Sequence, residues 1–263
     1  MQCTRRLLAP PGFWKRSLDE FKRLSNIAIK METLHVPTRP YPLINFNDPD
    51  SIAMCKTMSD RDMGGFSKVS LTHHAAAASE PAHAQFSGSI SIELPPNRPE
   101  VQRSGYAAFR TRDRPPTLFG KSLWDIDPYS YLALRVKADG RKYFINIQTE
   151  SIVPTDIHQH RLYTTRDGEW ETVVVAFRDF VRTNYGMVVE PQAEMMRQRV
   201  RSVGIGLIDR IPGPFDLRIA EIYATNDGEG KNVGKGRMMR TWICLGIWER
   251  GTRKGERMSR RRY

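Results

Sequence analysis

Two runs of alternating apolar and polar residues, joined by Asp139-Gly140, constrain the fold of this chain more than any other part of its sequence. The runs are Tyr131 to Ala138 (YLALRVKA) and Arg141 to Thr149 (RKYFINIQT). Asp-Gly between such runs favours a type I′ hairpin turn, in which both central residues have positive φ. This predicts an antiparallel pair with one buried face. The expected register pairs Val136 with Tyr143, Leu134 with Ile145, and Leu132 with Ile147.

Two further runs with a period of two predict additional strands. They are Phe86 to Leu94 (FSGSISIEL) and Glu169 to Phe177 (EWETVVVAF). Each alternates apolar residues with polar or small ones, as a strand with one buried face does. The residues that we expect to face the core are Phe86, Ile90, Ile92, Leu94, Val173, Val175 and Phe177.

Two late strands carry signals of local irregularity. Ser202 to Ile208 (SVGIGLI) holds Gly204 and Gly206 among branched residues, and glycine inside a strand predicts the close approach of another backbone. In Asp216 to Ala224 (DLRIAEIYA), the apolar positions change phase after Ile219. Such a change predicts a β-bulge.

Helical signals are few in the central part of the chain. Only residues 179–185 and 192–201 show a helical pattern, and both segments are short. At least six strands with few short helices predict an all-β fold, either a sandwich of two sheets or a jelly roll.

The positive charge of the chain lies at its two ends. Residues 1–40 hold 8 Lys/Arg and 3 Asp/Glu, and residues 228–263 hold 11 and 3. Because the whole chain has a net charge of +12, residues 41–227 have a net charge of −1. A domain that binds nucleic acid normally carries its basic excess on the folded body. We therefore expect no nucleic-acid partner.

The first 35 residues have the pattern of a basic amphipathic helix. This pattern is typical of a mitochondrial presequence or of a helix that lies on a membrane surface. A helix packed on the domain in the ordinary way is the structural alternative. At 100° per residue, the apolar arc comprises Trp14, Leu18, Phe21, Leu24, Ala28 and Met31, and the basic side comprises Lys15, Arg16, Lys22, Arg23 and Lys30.

The remaining boundaries follow from composition. Residues 36–47 contain three prolines in their first seven positions and are expected to form a stiff extended connector. The sandwich domain is expected to span residues 44–227. Residues 228–263 form a basic tail that we expect to be disordered, although its segment Trp242 to Trp248 could anchor at a membrane surface. No apolar run is long enough for a transmembrane helix, so we expect none.

The sequence lacks the common signatures of catalytic and metal sites. It has no Gly-x-Ser-x-Gly element and no glycine-rich phosphate loop between a strand and a helix. Three cysteines at unrelated spacings predict neither a disulfide framework nor a zinc site. His158-Gln159-His160 and His73-His74 with His83 are expected to be solvated loops rather than ligand sets. We expect no catalytic, cofactor-binding or metal-binding residues, and no cofactor.

Four segments together resemble one known family. They are Ser59 to Ser67 (SDRDMGGFS), the strand FSGSISIEL with the following Gly105 to Thr111 (GYAAFRT), the two runs around Asp139-Gly140, and Val203 to Ile222 (VGIGLIDRIPGPFDLRIAEI). In order and spacing they resemble the domain of the complex I intermediate-associated protein 30 (CIA30) family. The similarity extends over about residues 44–225.

This resemblance implies a galactose-binding-like jelly-roll β-sandwich and a non-catalytic role. Members of the family assist the assembly of mitochondrial NADH:ubiquinone oxidoreductase. The implied partners are membrane-arm assembly intermediates of complex I and other assembly factors. The implied location is the matrix, at the periphery of the inner membrane. No catalytic residues can be carried over from the family.

One loop is the candidate partner-binding site. Its glycine pair permits a sharp turn that would project a methionine and an aromatic residue outward beside charged residues, which is the composition of an interface. The structural alternative is that both apolar side chains close one end of the sandwich. The loop comprises Asp60, Arg61, Asp62, Met63, Gly64, Gly65 and Phe66.

A carbohydrate-binding module is the alternative function. Galactose-binding-like sandwiches often hold sugars by stacking a loop aromatic on the ring. Trp124 and Trp170 are the candidate stacking residues, although Trp170 precedes a valine-rich strand and could belong to the core.

Overall fold

Two seven-stranded sheets pack face to face in the computed structural model of the protein. The structure describes residues 12–30, 37–99, 101–151, 153, 155–228 and 232–233. Strands are numbered below in chain order. All described pairings within these sheets are antiparallel except one parallel pair, which the last described strand forms.

The first sheet has the order β16-β11-β8-β15-β4-β3, and β1 lies beside the second half of β15. β15 is therefore its central strand. The strands of this sheet are β1 (Tyr41–Asn45), β3 (Lys68–His74), β4 (His83–Ile90), β8 (Tyr131–Ala138), β11 (Glu171–Ala176), β15 (Gly213–Thr225) and β16 (Asn232–Val233).

The second sheet has the order β13-β12-β10-β9-β14-β5-β2. Its strands are β2 (Cys55–Ser59), β5 (Ala107–Thr111), β9 (Tyr143–Thr149), β10 (Asp156–Arg161), β12 (Val181–Asn184), β13 (Met187–Val188) and β14 (Val200–Leu207). Outside the two sheets, β6 (Arg114–Thr117) and β7 (Gly120–Ser122) form a small hairpin, and α1 (Phe13–Lys30) packs against it.

The prediction that the two runs around Asp139-Gly140 form a hairpin is wrong. β8 pairs with β11 and β15, whereas β9 lies in the other sheet and pairs with β10 and β14. Gly140 has φ +83°, but Asp139 lacks the positive φ that a type I′ turn requires. The dipeptide is still a turn, and it forms a corner that leads from one sheet to the other.

The predicted burial of the two runs is nevertheless correct. Leu132, Leu134 and Val136 of β8, and Tyr143 and Ile145 of β9, are all fully buried. Strands that face each other across a core show the same alternation as strands that pair side by side, because both bury every second residue. The pattern therefore identifies the buried face without identifying the partner strand.

The run from Phe86 to Leu94 is a strand for only part of its length. Phe86 and Ile90 are buried as predicted, but Ile92 and Leu94 are 42% and 50% exposed, so their predicted burial is wrong. The chain leaves the sheet after Ile90 because the next residue, Ser91, bonds to the side chain of Ser67.

Two other predictions for strands are confirmed. Val173, Val175 and Phe177 are buried. The register of β15 shifts between Ile219 and Glu221, which is the predicted bulge.

Neither predicted helical segment is helical. Residues 179–185 end a single 3₁₀ turn and then form β12, and residues 192–201 contain another 3₁₀ turn before β14 begins. Pairing of β12 with β10 supplies backbone partners that outweigh local propensity in these short segments.

The observed limits of the domain also differ from the predicted ones. β1 lies inside the predicted connector 36–47, where Pro42 is tolerated because β1 has a partner on one side only, namely β15. β16 lies inside the predicted tail, so the first sheet extends beyond Asp227. Residues 1–11, 31–36 and 234–263, and with them the segment Trp242 to Trp248, lie outside the described residues.

Gly204 provides a sharp test of the packing within the second sheet. A Cβ atom at Gly204 would lie 2.1 Å from the Phe109 carbonyl oxygen, so the predicted close approach of backbone is confirmed there. At Gly206 the nearest atom would be the Asn146 side-chain nitrogen at 2.9 Å, which can move. We expect Gly204→Ala to lower the free energy of unfolding by about 2–3 kcal/mol and Gly206→Ala by less than about 1 kcal/mol. Urea denaturation of both variants measures the difference, and equal losses would contradict this account.

Candidate functional site

Four connections cross between the sheets at one end of the sandwich. In the first sheet this end is marked by Gly213, at the start of β15, which pairs with Ile90, at the end of β4. In the second sheet, Leu207 at the end of β14 pairs with Ala107, which pairs in turn with Ser59. We call this end the loop end. Its connections are residues 60–67, 91–106, 139–142 and 208–212.

The four segments that carry the family resemblance meet at the loop end. Each contributes one of the four connections, or residues next to it, although the segments are spread over more than half of the chain. Two buried polar clusters hold the connections in place, one centred on Asp60 and the other on Arg141.

Asp60 joins the first two connections. Its carboxylate accepts hydrogen bonds from the Ser67 amide at 3.0 Å, the Ser67 hydroxyl at 2.8 Å and the Gly105 amide at 2.7 Å. The residue is only 1% exposed. Asp60 was expected on an exposed loop, and that expectation is wrong, because the backbone and hydroxyl donors draw the carboxylate inward.

The glycine pair of this loop is explained by the same cluster. A Cβ atom at Gly65 would lie 2.5 Å from the Asp60 side-chain Cγ. Gly64 has φ +87°, and a Cβ atom there would lie 3.2 Å from Pro95 in the neighbouring connection. A larger residue at either position would displace the buried carboxylate or the adjacent loop.

The remaining predicted site residues are exposed. Arg61 and Asp62 face solvent, and Met63 and Phe66 are 38% and 48% exposed. Both apolar side chains are therefore accessible to a partner.

Sequence reasoning missed other apolar side chains at this end. Ile92, Leu94, Ile208 and Ile211 are all exposed on two neighbouring connections. Ile211 could have been found, because it precedes a Pro-Gly-Pro segment that favours a loop. We define the loop-end patch as Met63, Phe66, Ile92, Leu94, Ile208 and Ile211.

Arg141 holds the other two connections. Its guanidinium donates two hydrogen bonds to Asp209, at 2.8 and 3.0 Å, and Asp209 is almost fully buried. It also donates to the carbonyl oxygens of Gly213 and Pro214 and to that of Ile211. One side chain thus fixes the whole connection between β14 and β15.

Asp139 completes this second cluster. Its carboxylate accepts hydrogen bonds from the Tyr143 hydroxyl at 3.0 Å and from the Asp216 amide at 2.7 Å. Burial raises the pKa of the Tyr143 phenol above its usual range, and the nearby Asp139 raises it further. Tyr143 therefore stays protonated at neutral pH and acts as a hydrogen-bond donor.

The histidines do not lie as predicted. His158 and His160 are on β10 rather than in a solvated loop, opposite the inward-facing residues Ile147 and Ile145. Burial lowers the pKa of both imidazoles, so they are neutral at neutral pH. Within the described residues, no three His, Cys, Asp or Glu side chains are placed to hold a metal ion.

The side chains of the two candidate sugar-stacking residues are not fully exposed either. Trp124 is buried. Trp170 is half-buried, and its ring centre lies 5.3 Å from that of His83. Trp124 therefore lacks the exposure that stacking on a sugar ring requires.

Comparisons of sequence agree with the resemblance. Residues 44–219 match the family profile of Complex I intermediate-associated protein 30 (CIA30). "Complex I intermediate-associated protein 30, mitochondrial" of Neurospora crassa is 50% identical over 240 residues, covering 84% of this chain and 86% of that protein. The Mus musculus protein of the same name is 29% identical over 185 residues, covering 69% of this chain and 55% of that protein.

A comparison of structures confirms the predicted fold. The family 11 carbohydrate-binding module of a cellulosomal cellulase from Clostridium thermocellum matches with a TM-score of 0.50 and 14% sequence identity, covering 73% of this chain and 96% of that module. At this identity the likeness shows the shared galactose-binding-like sandwich fold alone.

Proposed function

Because the chain belongs to the complex I intermediate-associated protein 30 family, we propose that it is a non-catalytic assembly factor of mitochondrial respiratory complex I. It acts in the matrix, at the periphery of the inner membrane. There it binds intermediates of the membrane arm, together with other assembly factors. The names of its relatives support the link to complex I.

The observation that carries the binding part of this proposal is the loop-end patch. Three connections present exposed Met, Phe, Ile and Leu side chains at one end of the sandwich. Charged residues, including Arg61 and Asp62, lie beside them. Exposed apolar residues with a charged rim are typical of an interface for another protein.

The clusters beneath the patch support the same function. The Asp60 and Arg141 clusters fix the backbones that carry the patch, so little conformational freedom remains to be lost on binding. A rigid apolar surface of this kind can cover apolar surface on an incomplete intermediate until the next subunit arrives. Such covering requires shape and apolar contact but no catalytic group.

Truncating the patch should abolish partner binding without unfolding the protein. We expect Met63→Ala with Phe66→Ala to leave the thermal midpoint within a few degrees, because both side chains are exposed. The same variant should lose co-purification of complex I intermediates from mitochondrial extracts. The matched control is Met54→Ala with Met187→Ala, whose side chains are 58% and 48% exposed away from the loop end.

Two results would contradict this prediction. If the Met63/Phe66 variant retained the intermediates, the partner would bind elsewhere. If its melting temperature fell steeply, the two side chains would be structural. Deletion of the protein followed by native gels tests the wider proposal, because normal amounts of mature complex I would refute an assembly role.

A further inference from the structure

The helix α1 leaves most of its apolar face uncovered. Trp14 is 76% exposed, Phe21 is 55% exposed and Leu18 is 53% exposed. Leu24, on the same face, is 40% exposed. A helix that merely packed on the domain would bury these residues. The predicted amphipathic pattern is therefore present, but the domain does not cover it.

A narrow contact fixes α1 to the β6–β7 hairpin. Ser17, in the middle of the apolar face, is buried, and its hydroxyl accepts a hydrogen bond from the Leu118 amide at 2.9 Å. The rings of Phe21 and Phe119 stack with their centres 6.3 Å apart. The helix is thus held by the tip of the hairpin and not by the core of the sandwich.

The hairpin tip extends the uncovered surface. Leu118 is 65% exposed and Phe119 is 51% exposed, although both lie next to the helix. The two elements therefore present exposed apolar side chains beside each other. We define the helix–hairpin surface as Trp14, Leu18, Phe21, Leu24, Leu118 and Phe119.

This surface lies at the end of the sandwich opposite the loop end. The hairpin follows β5, whose last residue, Thr111, pairs with Cys55 at the start of β2. After the hairpin, Trp124 bridges to Val200 at the start of β14. Both registers place the hairpin far from Ser59 and Leu207, which mark the loop end.

The charge of the helix indicates what can cover the surface. Residues 13–30 hold five Lys/Arg and two Asp/Glu. Lys15 and Lys22 are exposed and project from the side away from the apolar face, while Arg23 is paired with Glu20 at 2.8 Å. A basic polar side beside exposed Trp, Phe and Leu is typical of a helix that lies in the surface of an anionic bilayer. In the described part of the chain, no helix is both long enough and apolar enough to cross a membrane.

We propose that the helix–hairpin surface is a docking site for an anionic lipid bilayer, with α1 lying in the membrane plane and the hairpin tip inserted beside it. The inference deepens the proposed function, since it names the surface that would hold the protein at the inner membrane. The bond between Ser17 and Leu118 and the stacked pair Phe21 and Phe119 orient both elements toward the same side.

Sedimentation of the purified full-length protein with vesicles tests this site. We expect the protein to pellet with phosphatidylcholine vesicles that contain an anionic phospholipid, and much less with phosphatidylcholine alone. Trp14→Ala with Phe119→Ala should weaken vesicle binding at least about tenfold, because each removes a large apolar group from the lipid contact. Its urea midpoint should stay unchanged, because Trp14 is mostly exposed and Phe119 is half exposed.

A second variant tests the role of charge. Lys15→Gln with Lys22→Gln should reduce the preference for anionic vesicles about tenfold and leave the weaker binding to neutral vesicles unchanged. The matched control for both variants is Met63→Ala with Phe66→Ala, which removes exposed apolar groups at the opposite end. It should bind vesicles as the parent protein does.

Several outcomes would overturn the proposal. One is failure of the parent protein to pellet with anionic vesicles, and another is undiminished pelleting of the Trp14/Phe119 variant. Loss of co-purified intermediates by that variant, without any vesicle binding by the parent protein, would show that the surface binds protein instead. Vesicle sedimentation uses no complex I, so its failure can be distinguished from failure of the assembly role.

Discussion

Replacing Arg141 with methionine should lower the free energy of unfolding by about 3–5 kcal/mol. The guanidinium is mostly buried, and its partner Asp209 is almost completely so. Arg141→Met would leave the Asp209 carboxylate buried without its cation. It would also release the carbonyl oxygen of Ile211 in the β14–β15 connection and those of the first two residues of β15. Urea denaturation measures the loss.

A double variant separates the ion pair from simple packing. Arg141→Met combined with Asp209→Leu removes both charges, so no buried carboxylate is left alone. We expect the double variant to be more stable than Arg141→Met by at least about 1 kcal/mol. If the two losses were additive instead, the pair would not be coupled and the proposed role of Arg141 would be wrong.

Asp60→Asn should destabilise the protein by about 3 kcal/mol. The carboxylate accepts three hydrogen bonds, one of them from the Gly105 amide at 2.7 Å. An amide side chain would turn an NH₂ group toward at least one of these donors, since all of them lie around a buried group. The melting temperature and the urea midpoint should both fall.

The neighbouring carboxylate offers a matched control. Asp62 lies two residues further along the same loop and is exposed. Asp62→Asn should change the free energy of unfolding by less than about 0.5 kcal/mol. Equal effects of the two substitutions would mean that the Asp60 cluster contributes little to the loop end.

The sequence predicted which residues are buried far better than which strands pair. Alternation along β8 and β9 identified Leu134 and Ile145 as core residues, and both are fully buried. It could not identify their partners, because a period of two reports only the face of a strand. The Asp-Gly signal then favoured a hairpin, whereas the sandwich uses that turn to change sheets.

The candidate site was predictable only in part. The composition of residues 60–66 indicated an exposed loop, and Met63 and Phe66 are exposed. Burial of Asp60 was not predictable, because its donors Ser67 and Gly105 come together only through the packing of two connections. The exposure of Ile92 was missed for a different reason, because the alternation of apolar residues continues past Ile90, where β4 ends.

The central position of β15 determines how this domain can be completed. β15 pairs with β1, β4 and β8, and it is the last long strand in the described part of the chain. In a chain that emerges from a ribosome or a translocation channel with its N-terminus first, these strands appear before the partner they share. The edges that face β15 stay unpaired until about residue 225 is available. A chain cut short before that point would therefore lack the centre of one sheet and would be prone to aggregate.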